Sequence, residues 1–459
     1  MILQERVKLL LFVLLSISLN SFSTNTKFYN ISDTYGITSG EAFSICKDQY
    51  GFIWTSTKTG ILRVTEDDCR NYELPCRTTD FVFVKLTYSN SQLFSYTNNG
   101  QIFHYDEPTD QFFFLTDLRE ETDNSHITIG TIVADTSNVL WIASSIGLFK
   151  YENNILTKIP QTEEDIKHLT FYDDNHLFYI TSAGISLLNI STSESRLLYS
   201  NTTEDFFQVP SLYYDDQLKR LWIGTGSAGL FYYDIIRKSL SDIPIRNFPK
   251  QPILAIRKDA KNTLLIGIDG QGIWNISEKG DTILHIYKED LNNPFSLRGD
   301  GVYDILCDGS KNWIATFTGK LSFFENNNSQ ITPVTYQINN PNSLGNNYVN
   351  QIIEDHEGHI WFATNNGVSR WDAASNKWKH YYQNKSEQAK VFLSLCEDNQ
   401  GHIWAGSYSS GIYLLDRETG KTLKHYSSKT NTPGFTGDFI FDFFVDKDCL
   451  LYTSPSPRD

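Results

Sequence analysis

Along most of the chain, short apolar runs alternate with polar turns, the period-two texture of half-buried β-strands. One combination recurs. An apolar run ends in Asp, and a short polar turn, often closing on Gly, leads to a hydrophobe and Trp. A small-residue stretch, a Gly and another apolar run complete the unit. The clearest copies are DQYGFIW (Asp48 to Trp54), DHEGHIW (Asp355 to Trp361) and DNQGHIW (Asp398 to Trp404). DTSNVLW (Asp135 to Trp141) and DQLKRLW (Asp216 to Trp222) are looser, and DGSKNW (Asp308 to Trp313) is one residue shorter. DAKNTLL (Asp259 to Leu265) and DDNHLF (Asp173 to Phe178) replace the Trp, and a ninth unit is marked by Phe94 and Gly100.

Successive anchor positions lie 37 to 48 residues apart. Each unit reads as four short strands. In the eighth these are Val349 to Glu354, His359 to Thr364, Gly367 to Trp371 and Lys377 to Tyr382, with Gly, Asn and Asp at the breaks. The Gly after the second strand recurs from Gly60 to Gly411 and predicts a tight turn with φ > 0. Tandem four-stranded units of this length predict propeller blades, because one blade cannot bury both of its faces alone. The repeated Trp is then a wedge between blades. Nine units exceed the 4–8 blades of one ring. The fold class expected is therefore all-β, tandem β-propellers of four-stranded blades. The first is seven-bladed, with Phe28 to Ile31 adding an outer strand to its seventh blade, and the second is incomplete. The expected domains are a signal peptide at 1–23, a first propeller at 24–328, the start of a second at 329–448 and an aberrant tail at 449–459. The junction is placed at Asn326 to Ser329.

The chain has 459 residues, a net charge of −15, 40% hydrophobic and 14% aromatic residues. That is enough apolar material for real cores. The acidic balance, without a basic run, argues against a nucleic-acid partner and against anionic polymers or membrane surfaces. Arg6 and Lys8 before the apolar stretch Leu9 to Leu19, with Ser21 and Ser23 following, read as a secretory signal. The Cys residues form no metal pattern. Cys46 and Cys396 read as buried strand residues, whereas Cys69 and Cys76 could close a small disulfide loop in an exported chain. Nothing in the sequence fixes their Cα separation.

The repeated Asp invites a metal-ligand or catalytic reading. Its recurrence at a turn favours a backbone-capping role instead. The His residues show no ligand spacing, and there is no phosphate loop or nucleophile elbow. No catalytic residue, metal site or cofactor is expected. Trp274, Trp371 and Trp378 fall outside the repeat position. They read as blade packing, although such rings can also stack on sugars. In a propeller, the segments entering each blade and the turns between second and third strands lie at one end. On that face Asn292, Asn293, Asp300, Asn346, Asn347 and Tyr408 are the candidate ligand-binding residues.

The units resemble the two-component regulator propeller repeat. The match rests on Asp-x-x-Gly-x-Ile-Trp, on the segments NNPFSLRGDGV (Asn292 to Val302) and NNPNSLGNNYV (Asn339 to Val349), and on the opening FYNISDTYGITSGEAFSICKDQYGFIW. It covers roughly residues 28–448. The resemblance implies the exported sensor region of a Bacteroidetes-type hybrid two-component system. The ligand would be an oligosaccharide, the compartment the periplasm, and the full-length parent an inner-membrane-anchored histidine kinase able to dimerise. Membrane attachment would come only through a C-terminal part beyond this chain. The ending CLLYTSPSPRD departs from the repeat and suggests a truncated reading frame. A propeller enzyme acting on glycans and a protein-interaction scaffold are the alternatives.

Overall fold

The structure is a computed structural model. It describes residues 26–31, 41–65, 68–160, 162, 164–326, 333–383, 390–430, 437–445 and 451–453. The expected signal peptide, most of the proposed junction and most of the tail lie outside these residues. The chain divides into two compact units, Met1–Asp290 with Phe295–Gln330 and Leu291–Pro294 with Ile331–Asp459.

The repeat pattern folds as read. In the eighth repeat the strands are Val349–Glu354, Ile360–Thr364, Gly367–Asp372 and Lys377–Tyr381, within a residue of the expected bounds. Among the described residues, nine four-stranded antiparallel sheets form, seven of them in the first unit. Helix is scarce among the described residues: a five-residue α-helix, Leu118–Thr122, is capped by Asp117, and a 3-10 turn spans Ser428–Thr430. The innermost strands of the seven sheets neighbour one another in cyclic order, so the first unit is a closed ring. Eight of the nine sheets take four consecutive strands. The exception holds Val302–Asp308, Lys311–Thr316 and Lys320–Glu325, and its outer strand is Phe28–Asn30 in register Phe28↔Phe324, Tyr29↔Phe323 and Asn30↔Ser322. This is the closure expected from the sequence. It joins the start of the ring to its last sheet and pairs an edge that would otherwise be open.

The repeated Trp is the inter-sheet wedge. Trp54 packs with Tyr72 of its own sheet and with Val84, Leu86, Leu93 and Phe103 of the next. Trp361 likewise meets Phe392, Leu395 and Ile403. Four of these wedges are held by the Asp of their own repeat. Asp48 Oδ1 accepts the backbone N–H groups of Tyr50 and Phe52, and Oδ2 accepts Trp54 Nε1–H at 2.7 Å. The same clamp closes at Asp135–Trp141 (3.1 Å), Asp355–Trp361 (2.8 Å) and Asp398–Trp404 (2.9 Å). One carboxylate therefore fixes both a turn and a core side chain, which is the capping role rather than a metal or catalytic one.

Two details depart from the sequence reading. In the fifth repeat the turn is capped by Asp215, which accepts from Gln217 and Leu218, while Asp216 is an exposed partner of Lys219 and Tyr214. That turn is one residue longer, and Trp222 Nε1 is buried without a partner among the described residues. The recurrent Gly does not always adopt φ > 0. Gly367 does (φ +88°), but Gly319 is required by close approach, since a Cβ there would lie 1.7 Å from Arg298 O. Cys69 and Cys76 are free thiols, both half-buried.

The clamp predicts unequal costs for similar substitutions. Asp135→Ala removes three accepted hydrogen bonds and should cost about 2 kcal/mol of stability by denaturant unfolding. Asp216→Ala should leave the midpoint unchanged, and equal effects would contradict the assignment.

The clamp also predicts acid lability. Burial works against ionised Asp355 and Asp398, but the indole and backbone N–H donors outweigh it and hold both carboxyls below their ordinary range. A folded-state pKa below the unfolded one stabilises the fold above about pH 4. That stability is lost as pH falls towards the folded value. Acid titration followed by tryptophan fluorescence should therefore show loss of structure below about pH 4. Asp355→Asn should flatten that dependence, and an unaltered acid transition would count against it.

Candidate functional site

The connections at one end of the sheets are tied together by a recurring hydrogen bond. The N–H at the turn after the second strand donates to the carbonyl of the segment entering the same sheet. Ser145 pairs with Thr128 (3.0 Å), Gly226 with Gln208 (2.9 Å), Asp269 with Pro252 (2.9 Å) and Tyr408 with Val391 (3.0 Å). Entering segments and second-to-third-strand turns therefore share one face, as the repeat predicted.

In the first unit these connections rim a cavity of about 560 Å³, whose wall includes Phe83, Asn98, Ser145, Lys167, Phe207 and Asp269. A second cavity of about 350 Å³ continues along the ring axis and is lined by residues from all seven innermost strands. The two share Lys85, His168, Pro210, Leu254 and Tyr303, so mouth and axial channel are one continuous space.

The chemistry of the channel follows from strand register. On each innermost strand, one residue pairs with the position two beyond the repeat anchor. Around the ring these are Ser44, Lys85, Thr131, His168, Ser211, Ala255 and Asp304. In three of these sheets a bulge immediately precedes that residue and re-aims it. Several of these side chains serve the adjoining sheet. Asp304 accepts Ile45 N–H (2.9 Å), Ser44 Oγ accepts Leu86 N–H (3.3 Å) and Ser211 Oγ donates to Ile253 O (2.6 Å). Arg257 reaches Asp304 at 3.2 Å. Burial and the neighbouring Lys85 ammonium push His168 down to about 3, so its imidazole is neutral at physiological pH.

The residues singled out from sequence lie elsewhere, and none of the six lines this cavity. Asp300 Oδ1 accepts Glu289 N–H (2.7 Å), and Asn347 Oδ1 accepts Tyr336 N–H (2.7 Å). They are equivalent clamps in the two Asn-Pro-x-Ser-Leu segments. The serines are equivalent too, because Asp290 N–H donates to Ser296 Oγ and Gln337 N–H to Ser343 Oγ. Leu297 and Leu344 are buried beneath them. The motif is thus a self-supporting loop. Asn292 Oδ1 accepts Ile338 N–H and Asn346 Oδ1 accepts Tyr348 N–H. Asn293 follows Asn292 in the same loop, and Tyr408 is exposed with its ring edge-on to Phe439 at 5.1 Å. Trp274 packs on Phe248, and Trp371 stacks on Trp378 at 5.5 Å.

Sequence reasoning missed Lys85, His168, Arg257 and Asp304. The available signal was their occurrence in otherwise apolar first strands. Among the described residues, no group of His, Cys, Asp and Glu is placed to hold a metal ion.

The family model for the two-component regulator propeller matches residues 343–366 and 386–409. No curated protein matches the chain. Among solved structures, the extracellular domain of a hybrid two-component system from B. thetaiotaomicron aligns at 16% identity and TM-score 0.54. The alignment covers 95% of this chain and 72% of that one. A second such domain from the same organism aligns at 19% and 0.53, and this chain spans 64% of its length. Virginiamycin B lyase from Staphylococcus aureus aligns at 14% and 0.51, over 65% of this chain and 98% of that one. Identities this low establish the fold alone. The chain therefore has a β-propeller fold, and two of its segments, 343–366 and 386–409, match the two-component regulator propeller repeat.

Proposed function

We propose that the chain is the exported, ligand-sensing propeller region of a two-component sensor, and that the first unit's axial cavity receives an oligosaccharide. The observation that carries this reading is a ring whose axis is an open polar channel with an aromatic mouth, in a chain that also matches the regulator-propeller repeat. Saccharides offer apolar C–H faces and many hydroxyls. They suit a site with flat rings at its rim and fixed donors and acceptors within. Extracellular domains of two-component systems among the structural relatives and the signal-like N-terminus support an extracytoplasmic place, which we assign to the periplasm. The partner module would be a histidine kinase on the parent protein.

The fold does not by itself separate a sensor from an enzyme, since one relative is a lyase by name. A glycan panel does. The chain should bind at least one oligosaccharide in calorimetry and release no product over hours of incubation. Phe207→Ala should weaken that binding about tenfold, the worth of one stacked ring. Turnover of any glycan would replace the sensor reading with the enzyme one, and a panel without a single ligand would remove the saccharide.

A further inference from the structure

Of the three cations that line the axial cavity, one has no carboxylate partner among the described residues. Two of its cations are matched, Lys167 with Asp165 at 2.6 Å and Arg257 with Asp304 at 3.2 Å. Asp304 is further engaged by Ile45 N–H and by the Ser44 hydroxyl. Asp269 stands on the exposed rim, where water screens it. Lys85 has no carboxylate within ion-pair distance among the described residues. Its Nζ lies 5.1 Å from the centroid of the Phe83 ring, and the residue lines both the mouth and the channel. Burial lowers the pKa of the Lys85 ammonium from its ordinary value, with Asp304 opposing and Arg257 assisting.

Lys85 is part-buried on the wall of this space, so its ammonium is incompletely hydrated and has no carboxylate partner to offset that. An anion arriving beside Lys85 would offset that loss and gain a charge-assisted hydrogen bond. Neutral His168, with Nδ1 3.0 Å from its neighbour's carbonyl, is a hydroxyl-binding group rather than a second cation. Phe83, Phe207 and Tyr303 supply aromatic faces to the mouth. The whole chain is strongly acidic at −15, so a long polyanion would be repelled from its surface. A short ligand with a single acidic sugar at its end would not meet that barrier inside the ring.

Resting on the saccharide-sensing reading above, we propose that the axial cavity binds a short acidic oligosaccharide, with Lys85 taking a carboxylate or sulfate of the terminal sugar. Lys85 confers the preference for charge, and the mouth aromatics hold the pyranose.

Calorimetry at low salt with three probes tests this: digalacturonate, a sulfated lactose and neutral digalactose. At least one acidic probe should bind ten times more tightly than digalactose, and that margin should shrink as salt is raised. Whichever acidic probe binds identifies the anion as carboxylate or sulfate. Lys85→Met should abolish the margin, Lys85→Arg should retain most of it, and melting curves should show both variants folded. Equal affinity for acidic and neutral probes overturns the proposal, as does an unchanged margin in Lys85→Met. No binding of either acid also overturns it, whereas the sensing reading falls only when no member of the wider glycan panel binds.

Discussion

Seven innermost strands converge on one axis, and each presents there an edge with no strand beside it. Backbone N–H and C=O groups at such an edge must find partners or water. In this ring some find them in side chains from the adjoining sheet, as when Asp304 receives the amide of Ile45 or Ser211 reaches the carbonyl of Ile253. The axis therefore has to be polar, and it cannot be filled with the apolar side chains that pack the sheets elsewhere. A closed ring with a polar axis is left with a water-accessible channel, and the candidate site is a consequence of that architecture rather than an addition to it.

Further from the axis the physics reverses. Sheets pack face to face through a repeated Trp, and its one polar atom must be satisfied inside an apolar wedge. The aspartate six residues earlier does this in four repeats while also capping its own turn. Where the turn lengthens by a residue, as before Trp222, the carboxylate keeps the turn and loses the indole. The backbone groups thus have first claim on the aspartate.

Much of this was legible in the sequence. The period, the four strands of the eighth repeat, the pairing of Phe28–Asn30 and the shared face of two kinds of connection all follow from alternation, turn residues and the need to close an edge. The capping aspartate of the fifth repeat was misplaced because Asp215 and Asp216 are adjacent, and turn length is set by three-dimensional fit. The polar axial layer went unread in the sequence for a related reason. Lys85, His168 and Asp304 belong to one layer, but they precede their anchors by nine or ten residues. Variable turns and bulges blur that spacing, and only strand pairing aligns it. The Asn-rich segments stood out in the sequence because they gather polar residues at loop positions. Here their side chains hold their own loops.

The account places ligand recognition on the axis of the first unit, with shape and stacking provided at the mouth and polarity by the layer beneath. Hydrogen–deuterium exchange, with and without a saccharide that binds, measures this most directly. The account predicts slowed exchange in peptides covering residues 82–87, 128–132, 165–169, 207–212 and 252–257. Protection confined to residues 339–347 and 408–410, with the axial strands unchanged, would contradict it.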